Sequence, residues 1–419
     1  MVPFAAPGEV VVAKVDKVTS SFARAELSDV LTKSPDRVDP VCPLFSECGG
    51  CQYQHLSLDA QRRYKRAQVD DALLRIGGLE GIPAALPPLG TDDAYHYRTK
   101  LTPHHNRAWG DDKTSGPYEL GPIGFKRRGD SRGILDVTQC AIATLPINAA
   151  MADARAAAEV AAVAKATKRA DDKRKGQRRK PIGGATLLLR DCQDASGAAI
   201  VCTDMRSMVR ETLQMPEDLG GAALEYEFQA GEFFQNNRLV LPLMVAHVIR
   251  EALAAPLGEG SGAPSLVDCY CGSGMFAIAA ARTGRFQRVA GVEVSAKAVA
   301  AATVNAGLNG VGEMCDFLAG DAESIFDSLP NGDYDGDDTV AILDPPRAGC
   351  SVAFLDQLWV LRPRRVVYVS CDVSTQARDA ALFDQAGYVL RSVQPIDLFP
   401  QTRHIENVCV FDRGDSAGN

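Results

Sequence analysis

The segment Asp268-Cys-Tyr-Cys-Gly272-Ser-Gly274-Met-Phe-Ala-Ile-Ala-Ala-Ala decides the fold of this chain. It follows a short apolar run and leads into a helical pattern, so it predicts a glycine-rich turn between a strand and a helix. The two glycines let the backbone turn sharply and approach a ligand closely. Glu293 ends the next apolar run, about twenty residues further on, where an acid commonly binds ribose hydroxyls. We therefore predict a nucleotide-type cofactor site at this turn.

The residues of the turn favour S-adenosylmethionine over a nicotinamide cofactor. A dinucleotide fingerprint has a third glycine in the helix, where this chain has Ala277. Alanine is accepted at that position, so a nicotinamide enzyme stays open on the turn alone. The spacing Asp-x-x-x-Gly-x-Gly with the later acid fits S-adenosylmethionine better. A glycine turn without a binding role is the third interpretation.

Short apolar runs alternate with helical patterns from Ser265 onward. Their spacing suits β-α-β units, which predict an α/β fold with a parallel, doubly wound sheet. Residues 388–393 and 406–411 read as two further strands. The runs expected to form the parallel strands are Leu266-Val-Asp-Cys-Tyr, Val289-Ala-Gly-Val-Glu-Val, Val340-Ala-Ile-Leu-Asp and Arg365-Val-Val-Tyr-Val-Ser.

Two acids follow later strands of this sheet. Asp321 is placed either to contact adenine or to cap a helix. Asp344-Pro-Pro-Arg follows the run that begins at Val340, which is the fourth strand when the strand before Asp321 is counted as the third. Its prolines fix a rigid loop at the carboxyl edge, where α/β sheets bind ligands. Such a loop is typical of enzymes that methylate planar nitrogens or bases.

Cys371, in Val369-Ser-Cys-Asp, follows the fifth strand at the same edge, which makes it a candidate nucleophile. The alternative is a buried core cysteine. A thiolate suits methylation of carbon 5 of uracil, because its addition to carbon 6 turns carbon 5 into a nucleophile. A base must then remove the proton on carbon 5. Glu406 can supply it, and His404 is the other candidate; Glu406 could instead be a strand-edge carboxylate paired with Arg403 or Arg347.

The amino-terminal half carries a cysteine cluster. Cys42, Cys48 and Cys51 are spaced C-x5-C-x2-C, and Cys140 is the best downstream candidate for a fourth ligand. Four thiolates suit zinc or an iron–sulfur cluster. Zinc sites more often use paired C-x2-C knuckles, so we expect a [4Fe–4S] cluster with a structural role, with zinc as the alternative.

The segments around these cysteines predict several further elements. Residues 9–15 and 21–27 alternate like strands, and two strands alone do not form an independent domain, so we expect part of a small β-barrel. An Ala-rich helix is expected over 146–170. Residues 57–78 predict a basic amphipathic helix, and its expected apolar side is Leu58, Tyr64, Val69, Leu73 and Ile76.

Composition and charge limit the function classes. The 419 residues carry a net charge of −8, so a general positive coat for nucleic acid is absent. RNA contact would need a local patch, and the basic run 165–180 is either a docking arm or a solvated linker. No apolar run reaches the length of a membrane span, and the amino terminus has no secretory pattern. We therefore expect no membrane partner and a cytoplasmic location, with the nucleus or an organelle as alternatives. We also expect a monomer.

Several motifs together resemble the RNA uracil-5-methyltransferases, and within them the tRNA (uracil-5-)-methyltransferases found in eukaryotes. The resemblance covers nearly the whole chain. It rests on the cysteine cluster with Gln52-Tyr-Gln-His-Leu-Ser, Tyr97-Arg-Thr-Lys, Gly183-Gly-Ala-Thr-Leu-Leu-Leu-Arg, Ala230-Gly-Glu-Phe-Phe-Gln-Asn-Asn, Asp268-Cys-Tyr-Cys-Gly-Ser-Gly, Leu343-Asp-Pro-Pro-Arg, Tyr368-Val-Ser-Cys-Asp and Phe399-Pro-Gln-Thr-Arg-His-Ile-Glu.

The resemblance implies a methyl transfer from S-adenosylmethionine to carbon 5 of a uridine in RNA, with the T-loop uridine 54 of tRNA as the expected substrate. Cys371 would be the nucleophile and Glu406 the base. Cys42, Cys48, Cys51 and Cys140 would hold the cluster. Gln235, Tyr270, Glu293, Asp321 and Asp344 would bind S-adenosylmethionine, beside Gly272 and Gly274 of the turn.

The resemblance also implies three regions. Residues 1–37 would be a partial TRAM/OB-like β-barrel, 38–229 a central α+β iron–sulfur domain, and 230–419 a Rossmann-like class I methyltransferase domain. Asp372-Val373 departs from the family's common Asn-Pro after the nucleophile. The alternatives are the same chemistry on ribosomal RNA, an inactive RNA-binding or folding protein of the same fold, and a nitrogen methyltransferase.

Overall fold

The computed structural model describes residues 1–110, 118–130, 132–174, 183–256, 262–320, 326, 329 and 334–414. Two expectations from the sequence fall outside this set. Asp321 and the second part of the basic run, residues 175–180, lie outside the described residues.

The amino-terminal segment forms a hairpin and a helix. Strands β1 (Val10–Val18) and β2 (Ala23–Thr32) pair antiparallel as a two-stranded sheet, at the place where the alternating pattern predicts strands. Helix α1 (Leu58–Arg75) begins after Ser57, whose side chain accepts a hydrogen bond from the Ala60 amide. This cap satisfies one of the amides left free at the start of a helix.

The buried face of α1 differs from the expected apolar side. Val69 and Leu73 are buried as expected, but Ile76 is 52% exposed. Gln61 and Lys65 are buried instead, because both have polar partners beneath the helix. Hydrophobic periodicity could not find this face, since its central residue is a lysine.

The central region consists of two small sheets and a long helix. One sheet has the strand order β6-β5-β4-β7, and the other has the order β11-β10-β8-β3 with β9 on β8. A 3-10 turn lies at Glu217–Leu219. The elements are β3 (Lys100–Leu101), β4 (His104–His105), β5 (Ile123–Lys126), β6 (Ile134–Asp136), α2 (Leu145–Arg174), β7 (Ala185–Thr186), β8 (Leu189–Gln193), β9 (Ala199–Cys202), β10 (Met208–Gln214) and β11 (Ala223–Gln229).

The carboxyl-terminal region is the predicted doubly wound sheet. Its seven strands have the order β14-β13-β12-β15-β16-β18-β17; β12 to β16 run parallel, and β18 runs antiparallel to both neighbours. The elements are α3 (Leu241–Leu253), β12 (Ser265–Cys269), α4 (Met275–Arg282), β13 (Val289–Glu293), α5 (Ala296–Leu308), β14 (Cys315–Ala319), β15 (Thr339–Leu343), α6 (Val352–Leu361), β16 (Arg365–Ser370), α7 (Val373–Gln385), β17 (Tyr388–Ile396) and β18 (Glu406–Arg413).

The central strands of this sheet are buried on both faces. Val340 to Leu343 in β15 have no exposed surface, which explains why the sequence there is a continuous apolar run. One hydrophobic core continues from this sheet into β10 and β11 of the central region, and the Tyr226 hydroxyl donates to the Met275 carbonyl at 3.0 Å. The two regions are therefore packed as one body. Among the described residues, no helix is both long enough and apolar enough to cross a membrane.

Candidate active site

The carboxyl edge of the large sheet opens into a cavity of about 570 Å³. The loops after β11, β12, β13 and β15 line it, which is the place where doubly wound sheets bind ligands. Five of the expected cofactor residues lie on its wall: Gln235, Tyr270, Gly272, Glu293 and Asp344. The structure thus brings together residues that are far apart in the sequence.

Gly274 contributes conformation and not a wall of the cavity. It precedes α4 with φ of +87°, and a Cβ there would lie 3.0 Å from the Phe317 ring. Both the turn and the close packing therefore require glycine. Asp268 supports the same turn, because its buried carboxyl accepts a hydrogen bond from the Ala277 amide at 2.9 Å.

Glu293 is held in place by the backbone on both of its carboxylate oxygens. One oxygen accepts from the Gly272 amide at 3.2 Å and the other from the Ser295 amide at 2.9 Å. Each carboxylate oxygen has a further lone pair, so a diol can still donate to it. This orientation fits the ribose-binding role that the sequence predicts.

Cys371 and Glu406 meet at the end of one strand pair. Strands β16 and β18 pair antiparallel with Ser370 opposite Asn407. Cys371 follows Ser370 and Glu406 precedes Asn407, so the two residues occupy the next opposed positions, where side chains share one face of the sheet. Asp372 caps α7 by accepting from the amides of Ser374 at 3.0 Å and Thr375 at 3.3 Å, which fixes the turn after the cysteine.

The site is a group of acids around a thiol. Burial and the Asp344 carboxylate raise the pKa of Glu406 to about 8, and burial raises the pKa of Asp344 to about 7. Burial and the neighbouring Glu406 carboxylate raise the pKa of the Cys371 thiol above its usual value. A carboxyl whose pKa lies near neutrality suits a general base.

Arg347 is a site residue that sequence reasoning missed, since it named this residue only as an ion-pair partner of Glu406. Its guanidinium is a hydrogen-bond donor to the Cys371 sulfur, and it lowers the pKa of both Cys371 and Glu406. It therefore stabilises the charged forms that the chemistry needs. Phe233 was also missed: it lines the cofactor cavity, yet 77% of it is exposed. The signal for Phe233 is visible only in the structure, where an exposed aromatic ring lies beside a cavity.

The loop before Glu406, residues 397–404, is held by residues distant in sequence. The side-chain Oε1 of Gln61 accepts from the Gln401 backbone amide at 2.8 Å, and the Tyr97 hydroxyl donates to the Pro400 carbonyl at 2.8 Å. Lys65 donates to the Phe399 carbonyl at 3.1 Å and forms a buried ion pair with Asp397 at 2.7 Å. Through this loop, α1 sets the position at which β18 and its glutamate begin.

His404, the other candidate base, lies in the same loop. Burial, together with the positive charge of Arg347 and neighbouring cations, lowers its pKa. It lines a different cavity from the cofactor residues, next to the cysteine cluster. Its position therefore favours Glu406 over His404 as the base.

The four expected ligand cysteines line one cavity of about 400 Å³: Cys42, Cys48, Cys51 and Cys140. Burial, together with the neighbouring thiols of Cys140, Cys48 and Cys42, raises the pKa of Cys51 to about 12, so the four sulfurs lie near one another. All four are free thiols. Within the described residues, no three metal-binding side chains lie close enough together to hold a single metal ion. The four thiols share one cavity, and their chemistry is that of the ligands of an iron–sulfur cluster, which is wider than a single ion.

The comparisons with known proteins identify the family of this chain. The family model for tRNA (uracil-5-)-methyltransferase matches residues 195–413. The chain is 37% identical to the tRNA (uracil(54)-C(5))-methyltransferase of Schizosaccharomyces pombe, over 99% of this chain and 73% of that protein. The chain belongs to the tRNA (uracil-5-)-methyltransferase family. The Saccharomyces cerevisiae member with the same name is 32% identical, over 99% of this chain and 69% of that protein.

A solved structure of this family shares the fold. The crystal structure of a Pyrococcus abyssi tRNA (uracil-54, C5)-methyltransferase, in complex with S-adenosyl-L-homocysteine, matches with a TM-score of 0.60 and 21% identity. The match covers 98% of this chain and 95% of that chain. The class I methyltransferase fold predicted from the sequence is therefore confirmed.

Proposed function

We propose that this chain transfers a methyl group from S-adenosylmethionine to carbon 5 of uridine 54 in tRNA. The observation that carries the proposal is the opposition of Cys371 and Glu406 on paired strands, next to Asp344, which lines the cofactor cavity. A nitrogen methyltransferase needs no cysteine at this position. The names of the two yeast relatives support tRNA as the substrate.

The reaction would begin with the thiolate of Cys371. Its sulfur adds to carbon 6 of uracil, and the electrons of the 5,6 double bond move toward carbon 5 and the 4-carbonyl. Arg347 favours the thiolate, because its positive charge lies against the sulfur. Carbon 5 then attacks the methyl group on the sulfonium, whose carbon–sulfur bond breaks to release S-adenosylhomocysteine.

Glu406 would complete the reaction. Its carboxylate takes the proton from carbon 5, the 5,6 double bond re-forms, and the bond from carbon 6 to the Cys371 sulfur breaks. Glu406 must be ionised for this step, and its pKa of about 8 keeps it within reach of neutral pH. The methyl donor would lie against Gln235, Tyr270, Gly272, Glu293 and Asp344, which line the cofactor cavity; Asp321 stays a predicted contact.

We further propose that Cys42, Cys48, Cys51 and Cys140 hold a [4Fe–4S] cluster. When bound, the cluster would supply four bonds that tie the loop 42–51 to Cys140. The convergence of the four thiols on one cavity supports this assignment. The domain division at 37 and 229 is proposed with it, the β1–β2 hairpin being the part of a TRAM/OB-like barrel that this chain contains.

The test is methylation of an unmodified tRNA transcript with a labelled methyl donor, followed by mapping of the product. The expected product is 5-methyluridine at position 54. The matched control is a transcript with cytidine at that position, which should take no label. If ribosomal RNA takes the label and tRNA does not, the substrate is ribosomal RNA, which is the alternative with the same chemistry. Binding of S-adenosylmethionine without any transfer would leave an inactive RNA-binding protein.

A further inference from the structure

A groove of about 440 Å³ lies between α2 and the loops that follow β4 and precede β7. It is separate from both cavities described above. One face of α2 forms its floor, with residues spaced three and four apart, as neighbours on a helix are. Because most of them are alanines, whose side chains are short, the groove stays open along the helix. They include Ala158, Ala161, Ala162, Lys165, Ala166 and Arg169.

An exposed tryptophan forms the opposite wall. Trp109 is 62% exposed, although aromatic rings of this size are usually buried. Its backbone is fixed: Trp109 and Glu119 exchange two hydrogen bonds of 2.9 Å. The ring is therefore presented by a paired segment beside the groove, which suits stacking by a planar ligand.

Three positive charges surround this ring. Arg107, Lys165 and Arg169 line the groove, and in the part of the chain that the structure describes none of them has a carboxylate partner. In a chain of net charge −8, acids outnumber bases, so most cations have an acid nearby that neutralises their charge. Unpaired cations that converge on one groove create a local positive potential, which attracts a polyanion.

His105 adds a polar group to the wall. It is only 8% exposed, and its Nδ1 lies 2.7 Å from the Asn106 carbonyl oxygen. A carbonyl can only accept, so Nδ1 carries the proton and Nε2 of the neutral ring is an acceptor. A hydroxyl or amine of a ligand in the groove can donate to Nε2.

We propose that this groove binds one unpaired nucleotide of the substrate RNA, away from the uridine that is methylated. Its base would stack on Trp109, and its flanking phosphates would pair with Arg107, Lys165 and Arg169. Aromatic stacking with adjacent cations is how proteins hold single-stranded nucleotides. The inference rests on the proposed function, because it takes the occupant to be the RNA substrate.

The groove also has a defined relation to the cysteine cavity. Successive residues of a strand point to opposite faces, and in β4 His104 lines the cysteine cavity whereas His105 lines the groove. The two cavities therefore lie on opposite faces of the small sheet. A nucleotide bound in the groove would be a second anchor for the RNA, apart from the uridine that is methylated.

Fluorescence tests the stacking. The chain has two tryptophans, and Trp359 packs edge-on against Phe383. A Trp359→Phe variant leaves Trp109 as the sole reporter. Unmodified tRNA should quench its emission, with a midpoint equal to the Kd from filter binding. The reciprocal Trp109→Phe variant, which keeps Trp359, should show no quenching. Trp109→Ala should weaken tRNA binding about tenfold.

Two substitutions on α2, each of which removes one positive charge, test the role of the cations in the groove. Arg169→Ser removes a cation that lines the groove, whereas Lys168→Ser removes its neighbour, which does not. Arg169→Ser should weaken tRNA binding several-fold and lower the salt slope by about 0.7 to 0.9. Lys168→Ser should change both much less. Circular dichroism should show the same helix content for the two variants.

Three outcomes would overturn the inference. If unmodified tRNA is bound and methylated but leaves the Trp109 emission unchanged, stacking on Trp109 is excluded. Equal effects of Arg169→Ser and Lys168→Ser would reduce the groove to general charge. Normal RNA binding by Trp109→Ala, with loss of binding to an acidic protein, would assign another class of partner. If the parent protein neither binds nor methylates tRNA, the proposed function fails and this inference fails with it.

Discussion

Replacement of Lys65 by methionine should detach the loop that carries the catalytic base. The lysine side chain is 1% exposed and that of its partner Asp397 is 0% exposed, with 2.7 Å between Nζ and Oδ1. Methionine keeps most of the length and the apolar stem but removes the charge. Asp397 then stays buried with one remaining cation, Arg62, at 3.2 Å. The Phe399 carbonyl also loses one of its donors and keeps the Thr402 hydroxyl.

The magnitude follows from the burial of the pair. Removal of one partner from a buried ion pair costs about 3 to 5 kcal/mol, because the other charge is left unpaired in a poorly polarisable interior. Arg62 still compensates part of the charge of Asp397, so we expect the lower value, about 3 kcal/mol. Arg63 and Asp36 provide the matched control on the same helix. That pair has a similar distance of 2.6 Å, but Arg63 is 58% exposed, so solvent screens the pair and Arg63→Met should cost much less free energy of unfolding than Lys65→Met.

The assay is urea unfolding followed by circular dichroism, with methyl transfer measured on the same preparations. A cycle with Asp397→Asn separates the pair from its parts, because the double variant should lose less than the sum of the single variants. Misplacement of Glu406 should lower kcat by roughly ten- to a hundredfold. The KM for tRNA should change little, since the Lys65–Asp397 pair is buried beneath the loop that leads to Glu406 and cannot touch the RNA.

The reasoning fails if Lys65→Met costs no more free energy of unfolding than Arg63→Met. It also fails if stability falls as expected while kcat is unchanged, since α1 would then support the fold without positioning Glu406.

Three further predictions concern the site and the cysteines. Cys371→Ala should abolish methyl transfer while S-adenosylmethionine still binds in equilibrium dialysis, because the thiol lies outside the cofactor loops; turnover above a trace would exclude a covalent route. The rate should rise with pH up to about 8, because the pKa of Glu406 is raised to that value and only the ionised form accepts a proton; Arg347→Met removes a charge that lowers this pKa, so the rise should move to higher pH, and a shift to lower pH would refute its role. Protein purified without oxygen should contain iron and sulfide, and Cys140→Ser should reduce both whereas Cys202→Ser, outside the cysteine cavity, should not; stoichiometric zinc without iron would replace the cluster by zinc.

Local sequence was enough to predict the large sheet and its cofactor turn. The runs at 266–269 and 340–343 are buried on both faces, so they are apolar apart from Asp268 and visible without any tertiary information. Gly272 and Gly274 mark a backbone with positive φ, which few other residues adopt. The position of Cys371 after a strand then followed from the sheet.

The parts that depend on distant contacts were not visible. Lys65 looks like a solvent-facing residue of a basic helix until Asp397, more than three hundred residues later, lies beneath it. Arg347 acts through the sulfur of Cys371, a contact that requires the β15 and β16 loops to be side by side. The groove beside Trp109 arises from the packing of α2, and alanine-rich helices carry no sequence signal for an opening.

The most direct test of the mechanism is the Glu406→Gln variant incubated with unmodified tRNA and S-adenosylmethionine. Glutamine keeps the size of the side chain but cannot take the proton from carbon 5. Addition to carbon 6 and methyl transfer should still occur, and elimination of Cys371 should stall. A protein–RNA adduct that survives denaturation, carries the labelled methyl group and is absent from the Cys371→Ala, Glu406→Gln double variant is the predicted result. A slow variant that turns over without any adduct would contradict the assignment of Glu406 as the base.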